Sequence, residues 1–435
     1  MRRSAWLILF LSLAATAFSG PAVADAASVQ QDAPTIDVAE VFGVLDPQLA
    51  GFVLDRIAQA NTDGAELLVL ELDTPGALEV DIREIIDAMQ ASRVPIAVWI
   101  GPRTARARSG GALIAAAAHV SAIGPSARLG PVFPSELGID PDSPEGARVR
   151  AEDLTLVETL ARARKRGDPA AFFERSLGAN ASLDAGAVDL VTPVVAELLT
   201  LSDGRTVTTA AGPVTLRLPE REAVVRFLKP GPIRALLHTL ATPALAYLML
   251  LTAAMLLAFE LFQPGFGVAG VSGLLLLAGA GWGLTVLPVS VLGLALFTAG
   301  IALLSADVAV NGLGLPTIAG TALLTYGSLT MFPAPAGVLG IRWWLVALGV
   351  VSTLVFFVPV MTFVKRSRLS PTEQKEARAL VGQPGRVRSV LNPEGFVWVA
   401  DELWRARSED GDKVRVGEDV VVSGVEGSLL RVRRS

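Results

Sequence analysis

Residues 36–124 alternate between two hydrophobic patterns. "IDVAEVFGVLD" (36–46), "AELLVLELDTPGA" (65–77) and "VPIAVWIG" (94–101) are short apolar runs, as expected for strands buried on both faces. Between them the apolar positions take helical spacing. Asp46 and Pro47 read as the cap and first position of a helix with Leu49, Phe52, Val53 and Ile57 on one side. "DIREIIDAMQ" (81–90) puts Ile82, Ile85, Ile86 and Met89 on one stripe, and "SGGALIAAAAH" (109–119) reads as one further helix. The βαβαβ order predicts a mostly parallel sheet covered by helices. After residue 124 the pattern loosens. "SARLGPVFPSELGIDPDSPEG" (126–146) reads as a long loop, residues 151–166 as a helix closed by Gly167, and "RTVTTAAGPVTLRL" (205–218) as a hairpin around a Gly-Pro turn.

From Arg234 the apolar runs lengthen. Candidate membrane spans are 234–259, 267–287, 289–306, 312–332 and 342–364. "KRSR" (365–368) marks the cytoplasmic end of the last one. The chain begins with Arg2 and Arg3, an apolar core over Ala5–Phe18 and the small-residue motif Ala22-Val23-Ala24, which together read as a secretory signal over residues 1–24. A lead-in linker (25–35) and an extracytoplasmic domain (36–230) follow. Ending inside then requires an odd number of spans in the membrane region 231–364, and five is the expectation. Residues 379–435 carry five short alternating strands with Gly-rich turns, which predicts a small barrel of the OB type with Val397, Val399, Val420 and Val422 facing inward.

Composition narrows the function. Of 435 residues, 51% are hydrophobic, and the mean hydropathy of +0.51 fits a multi-span membrane protein. The net charge of −5 argues against nucleic acid as a partner, since phosphate binding needs a concentrated basic surface. Cysteine is absent and only two histidines occur, His119 and His238. This leaves no thiol nucleophile and argues against an imidazole-based metal centre; no metal or other cofactor is expected. Transport through the apolar region is the weakest reading, because its carboxylates, Glu260 and Asp307, fall near span ends rather than mid-span.

The stretch "GPRTARARSGGALIAAAAHVSAIG" (101–124) offers one candidate nucleophile, Ser109. Serine at the start of a helix is also a preferred cap, and on general grounds that bland role is favoured. A nucleophilic serine needs a base. His119 would sit roughly 15 Å farther along the same helix. His238 falls in the first candidate span. Lys165, in "ARARKRG", reads as a cation at a helix end, and Lys229 as an interfacial anchor. The turn "DTPGA" (73–77) offers backbone N–H groups for a developing oxyanion.

Several segments together resemble the nodulation-efficiency D (NfeD) family of membrane proteins: "LELDTPGALEVDIREII", "ARSGGALIAAAAHVSAIGPSARLG", "SLDAGAVDLVT", "FELFQPGFGVAGVSG" and "LVGQPGRVRSVLNPEG" with "VGEDVVVSGVEGSLLRVRR". The resemblance covers nearly the whole mature chain. It implies a ClpP/crotonase-like α/β serine protease domain, a helical multi-span membrane region and a C-terminal all-β OB-fold barrel. It makes Ser109 the nucleophile and Gly76-Ala77 the oxyanion turn. The family turn carries a second glycine where this chain has Ala77, a change expected to hinder the backbone. The family's general base is a lysine at the position of Arg150. Arginine stays protonated and cannot accept the serine proton. The resemblance further implies a bacterial inner-membrane location, homo-oligomers, and stomatin/flotillin-type (SPFH) membrane proteins as substrate or partner, engaged through a hydrophobic segment. The chain is then either a protease of that class with a missing base or a scaffold that binds such a partner without cleaving it.

Overall fold

Period-two alternation, apolar on both sides, builds the centre of the N-terminal region. The computed structural model describes residues 34–219, 223–261, 267–310, 314–333, 339–368, 379–426 and 429–435. The expected signal segment and nearly all of the linker lie outside them. Strands β1 (Thr35–Phe42), β2 (Leu67–Asp73) and β3 (Ile96–Ile100) are followed by β4 (Arg106–Ala107), β5 (Val120–Ile123), β6 (Arg128–Leu129), β7 (Leu177–Gly178) and β8 (Leu190–Val191). Strands β9 (Thr206–Thr209), β10 (Gly212–Thr215) and β11 (Val224–Leu228) complete the region. The main sheet has the order β11-β1-β2-β3-β5-β8, with every neighbouring pair parallel. Strands β4, β6 and β7 form a small second sheet, and β9 and β10 the expected hairpin. Ile36, Val38, Leu67, Val69, Ala97 and Trp99 point to one face. Val41, Leu68, Leu70, Leu72, Ile96 and Val98 point to the other.

Helices α1 (Pro47–Asp63), α2 (Ile82–Ala91), α3 (Gly110–Ala117) and α4 (Pro144–Arg164) contribute to the second face, and α5 (Val195–Ser202) to the first. Asp46 caps α1 by accepting the Leu49 N–H at 2.9 Å. Helix α4 begins at Pro144 rather than at residue 151. Ser143 accepts the Gly146 N–H at 2.9 Å and Pro144 takes the first turn, a start signal that lies inside the segment read as loop. Lys165, in left-handed geometry at φ 55°, ends it ahead of Gly167. Helix α3 is shorter than expected: it stops at Ala117, and the chain turns at Ala118 and His119 into β5, a strand the apolar pattern concealed.

The chain divides into two units, residues 1–293 with 329–343 and residues 294–328 with 344–435. In the first, the expected span 234–259 is two helices, α6 (Pro232–Leu240) and α7 (Pro243–Glu260). Pro243 opens α7; its ring would clash in the middle of a helix, so the chain breaks at Ala241 and Thr242. Helix α8 (Val268–Val286) packs against α7 through Gly273, which meets Leu257, and Gly279, which meets Met249. Glu260 accepts the N–H groups of Gly267 and Gly270 and so caps α8. Among the described residues, α7 and α8 are the two helices long and apolar enough to cross a membrane; the apolar stretches Val291–Asp307 and Trp343–Pro359 are shorter.

The second unit holds most of α9 (Val291–Val310), α10 (Leu315–Thr330) and α11 (Trp343–Arg368). Asp307 accepts the Gly314 and Thr317 N–H groups, each at 3.1 Å, together with the Thr317 hydroxyl. Both membrane-region carboxylates thus serve as caps, in keeping with their position near span ends. The C-terminal strands β12 (Pro384–Val387), β13 (Glu394–Val399), β14 (Glu402–Ser408), β15 (Asp419–Glu426) and β16 (Leu429–Arg434) close into a barrel of order β12-β13-β14-β16-β15. Val397, Val399, Val420 and Val422 lie in its core.

Candidate functional site

Ser109 stands one residue before α3, beyond the carboxyl end of β3, where parallel sheets place their ligand sites. It occupies the cap position but makes no capping hydrogen bond through its side chain. Its backbone instead takes φ 53° and ψ −130°, a strained conformation for a residue with a Cβ. This sharp strand-to-helix turn resembles the elbow that exposes nucleophilic serines in other folds. The residue is 4% exposed. Gly76 faces it: a Cβ there would stand 3.0 Å from Ser109 Oγ and 2.6 Å from Leu137 Cδ2. Gly76 also has φ 152°, so glycine is required both by space and by backbone. Gly111 admits the close approach of α3 to the end of β2, since a Cβ there would meet Thr74 Cγ2 at 2.3 Å. Ala77 is not among the described non-glycine residues with positive φ. The expected hindrance from alanine is absent, because the unusual conformation belongs to Gly76.

A second segment lies across this turn. Ala77 forms parallel bridges with Leu45 on one side and Glu136 on the other. The Leu137 N–H donates to Ala77 O at 2.8 Å, and the Gly110 N–H to Ser135 O at 2.9 Å. The Gly76 N–H is held by Thr74 Oγ1 at 3.2 Å. Two donors that an oxyanion would call upon, Gly76 and Gly110, therefore already have acceptors. Asp153, buried on α4, holds the segment from behind by accepting the Ser135 N–H at 3.0 Å. Burial pushes its carboxyl up to about 6, against the opposing hydrogen bonds from Ser135. Asp153 lines a cavity of about 370 Å³ together with Ser135, Glu136, Ile82 and Leu156.

The other sequence candidates are engaged by partners of their own or are exposed. Arg150 pairs with Glu174, and its guanidinium lies 5.3 Å from the Phe133 ring centre. His119 is buried; its Nδ1 accepts the Ile96 N–H at 3.1 Å. Burial, then the nearby Arg164, lowers its pKa to about 4, so it is neutral at ordinary pH. His238 is on α6, ahead of the apolar helix α7, and bonds Asp46 Oδ2 through Nδ1 at 3.0 Å. That hydrogen bond raises its pKa. Lys165 is exposed at the end of α4, and Lys229 pairs with Glu40 at 3.1 Å. Among the described residues, no side-chain base is hydrogen-bonded to Ser109 Oγ.

Three contributors were missed by the sequence reading. Leu137 and Ser135 carry no motif. Asp153 did leave a signal: with Val149, Val157 and Leu160 it falls on the inward stripe of α4, a lone carboxylate at an apolar position. Arg164 and Arg166, which flank Lys165 and received no reading of their own, clamp the far end of α3. Arg164 donates to Ala117 O at 2.9 Å, and Arg166 to the carbonyls of Ala115, Ala116 and Ala118. Cations there complement the helix dipole, whose positive end is at Ser109.

The chain matches the NfeD integral membrane domain over residues 244–362 and the NfeD-like C-terminal, partner-binding domain over residues 377–434. It is 26% identical over 406 residues to the membrane-bound protease PH1510 of Pyrococcus horikoshii, covering 89% of this chain and 91% of that one. It is also 26% identical over 436 residues to the membrane protein NfeD1b of Bacillus subtilis, covering 92% of each. Among solved structures, a 1510-N membrane protease specific for a stomatin homolog from Pyrococcus horikoshii is 25% identical, covering 47% of this chain and 98% of that one, with a TM-score of 0.39. Its membrane region and its C-terminal region thus each match a domain of the NfeD family of membrane proteins.

Proposed function

We propose that this protein is a membrane-anchored member of the serine-protease class that binds an extended hydrophobic segment of a stomatin/flotillin-type membrane protein at the Ser109 cleft and hydrolyses it very slowly. The observation that carries this reading is the strained Ser109, set against Gly76 and at the positive end of α3, with no basic side chain among the described residues bonded to its hydroxyl. Strain of this kind is kept where function requires it. The positive end of the α3 dipole favours a developing oxyanion, but the Gly76 and Gly110 N–H groups are already engaged, and proton removal needs a base. Arg150 stands in the position of the family lysine and is engaged by Glu174, and a guanidinium is not a general base.

The further parts of this reading follow from the family. The N-terminal domain is of the ClpP/crotonase type and lies outside the cytoplasm after removal of residues 1–24. Five spans carry the chain across a bacterial inner membrane. The barrel is of the OB type, faces the cytoplasm and docks the stomatin-type partner, and the protein assembles as a homo-oligomer. The purified full chain should bind a fluorescent leucine-rich peptide from such a partner equally well as wild type and as Ser109→Ala, with product at background in both. Loss of binding in both refutes the peptide site; fast product formation that depends on Ser109 refutes the slow-turnover part.

A further inference from the structure

The parallel sheet has one edge at which all its strands end, and two independent features occupy that edge. One is the Ser109 turn, beyond β2 and β3, which the proposed function reads as a peptide cleft. The other is the attachment of the membrane region, beyond β11 and β1. Strand β11 ends at Leu228 and leads into α6, which comes immediately before the apolar helix α7. On α6, Arg234 and His238 turn inward: Arg234 pairs with Asp55 at 2.7 Å and His238 with Asp46 at 3.0 Å. Trp282 of α8 donates to Leu237 O at 3.2 Å, which fixes α6 to the α7–α8 hairpin. Ile233 and Leu236, on the opposite stripe, are 73% and 58% exposed. A short helix with one charged stripe, one bare apolar stripe and a following membrane helix is built to lie in the plane of a bilayer surface.

The link from α6 to the cleft is short. His238 approaches Gly43, and Asp46 belongs to the same turn. The Leu45 N–H in that turn donates to Gly76 O at 2.9 Å. The cleft is therefore within about three strand spacings, on the order of 15 Å, of α6. The loop that leads to Ser109 adds a charge argument. Arg103 and Arg106 are exposed and Arg108 is half-buried, and among the described residues none of the three pairs with a carboxylate. Unpaired arginines beside an apolar interfacial stripe match an anionic lipid surface.

We infer that α6 and the arginine loop hold the Ser109 edge of the sheet against the bilayer surface, so that the cleft receives segments emerging from the membrane rather than chains free in solution. The inference rests on the reading of the cleft as a peptide site, but its test does not. The chain has no cysteine, so single cysteines at Ile233, Arg103 and Arg93 can each carry an environment-insensitive fluorophore. Arg103 follows β3 and Arg93 precedes it; both are exposed, and the five residues of β3 between them span about 17 Å. The full-length variants would be reconstituted into phosphatidylcholine–phosphatidylglycerol vesicles with and without lipids bearing a headgroup nitroxide. The expected result is loss of emission from Ile233→Cys and Arg103→Cys, with Arg93→Cys unchanged. Emission from Ile233→Cys that ignores the nitroxide, or quenching at Arg103→Cys no greater than at Arg93→Cys, overturns the inference. Peptide binding can fail while this pattern holds, which would separate the two readings.

Discussion

Replacing Ser109 by glycine should make the N-terminal domain more resistant to unfolding, whereas replacing it by alanine should not. Ser109 takes φ 53° and ψ −130°, which alanine would share and only glycine adopts freely. A non-glycine residue held in such a region costs about 1–3 kcal/mol. Glycine gives back roughly 0.5–1 kcal/mol through the greater freedom of the unfolded chain. The glycine variant should then be more stable than the alanine variant by about 1–2 kcal/mol, a factor of roughly 5–30 in the opening equilibrium. Both lose the hydroxyl, so the difference isolates the backbone. Amide hydrogen exchange, read on peptides covering β2 and β3 in the detergent-solubilised full chain, reports that equilibrium directly. Slower exchange in Ser109→Gly than in Ser109→Ala is expected. Equal or faster exchange would show that the turn stores no strain, and would remove the main reason for regarding Ser109 as more than a residue at a helix start.

Three further outcomes follow from the same geometry. The raised pKa of Asp153, from an ordinary 3.8 to about 6, means that its ionised form is disfavoured on folding, so a penalty grows as pH rises through this window and is complete above it. Asp153→Asn, which keeps an acceptor for the Ser135 N–H, should stabilise the domain by about 1–3 kcal/mol at pH 8 and hardly at all at pH 4, measured by urea unfolding. His238 has the opposite consequence: its pKa is raised above 6.5 by Asp46, so the pairing is fully present below 6.5 and is lost as pH rises through the folded value. Protease cleavage within α6 should therefore increase towards alkaline pH in the wild type, with His238→Gln cleaved readily throughout. For topology, Asp410→Cys should resist an impermeant maleimide in intact cells and react after permeabilisation. Asp410 is exposed in the barrel, whereas Ser408 is buried and would be a poor reporter.

The alternation of apolar strands and striped helices from residue 36 to 101 made the centre of the sheet legible, because both periods follow directly from burying one or two faces. The same logic failed at β5. "HVSAIG" follows the alanine-rich helix without a polar break, so composition did not mark where the period changed. It also failed at α6, where hydrophobic residues read as membrane-spanning form one stripe of a surface helix; Pro243 was the local sign of the break. Ser109, Gly76 and Ala77 were legible through turn chemistry. Ser135, Leu137 and their contacts were not, since a segment that pairs with a distant turn leaves no periodicity of its own. The acids Glu260 and Asp307 show the same limit: position near a span end suggested little, and only the fold reveals which helix start each one caps.

The proposed function holds that Ser109 remains a nucleophile whose base has been lost. Restoring a lysine at position 150 tests it most directly. Glu174, which pairs with Arg150, would hold such a lysine protonated, so the informative variant is Arg150→Lys with Glu174→Gln. Turnover of a leucine-rich peptide from a stomatin-type protein would be followed for the full-length protein in vesicles. Background turnover is expected in the wild type. A gain approaching the roughly 10²–10⁴-fold of general-base catalysis is expected in the double variant, abolished by adding Ser109→Ala. Ready hydrolysis by the wild type that disappears in Ser109→Ala would contradict this reading.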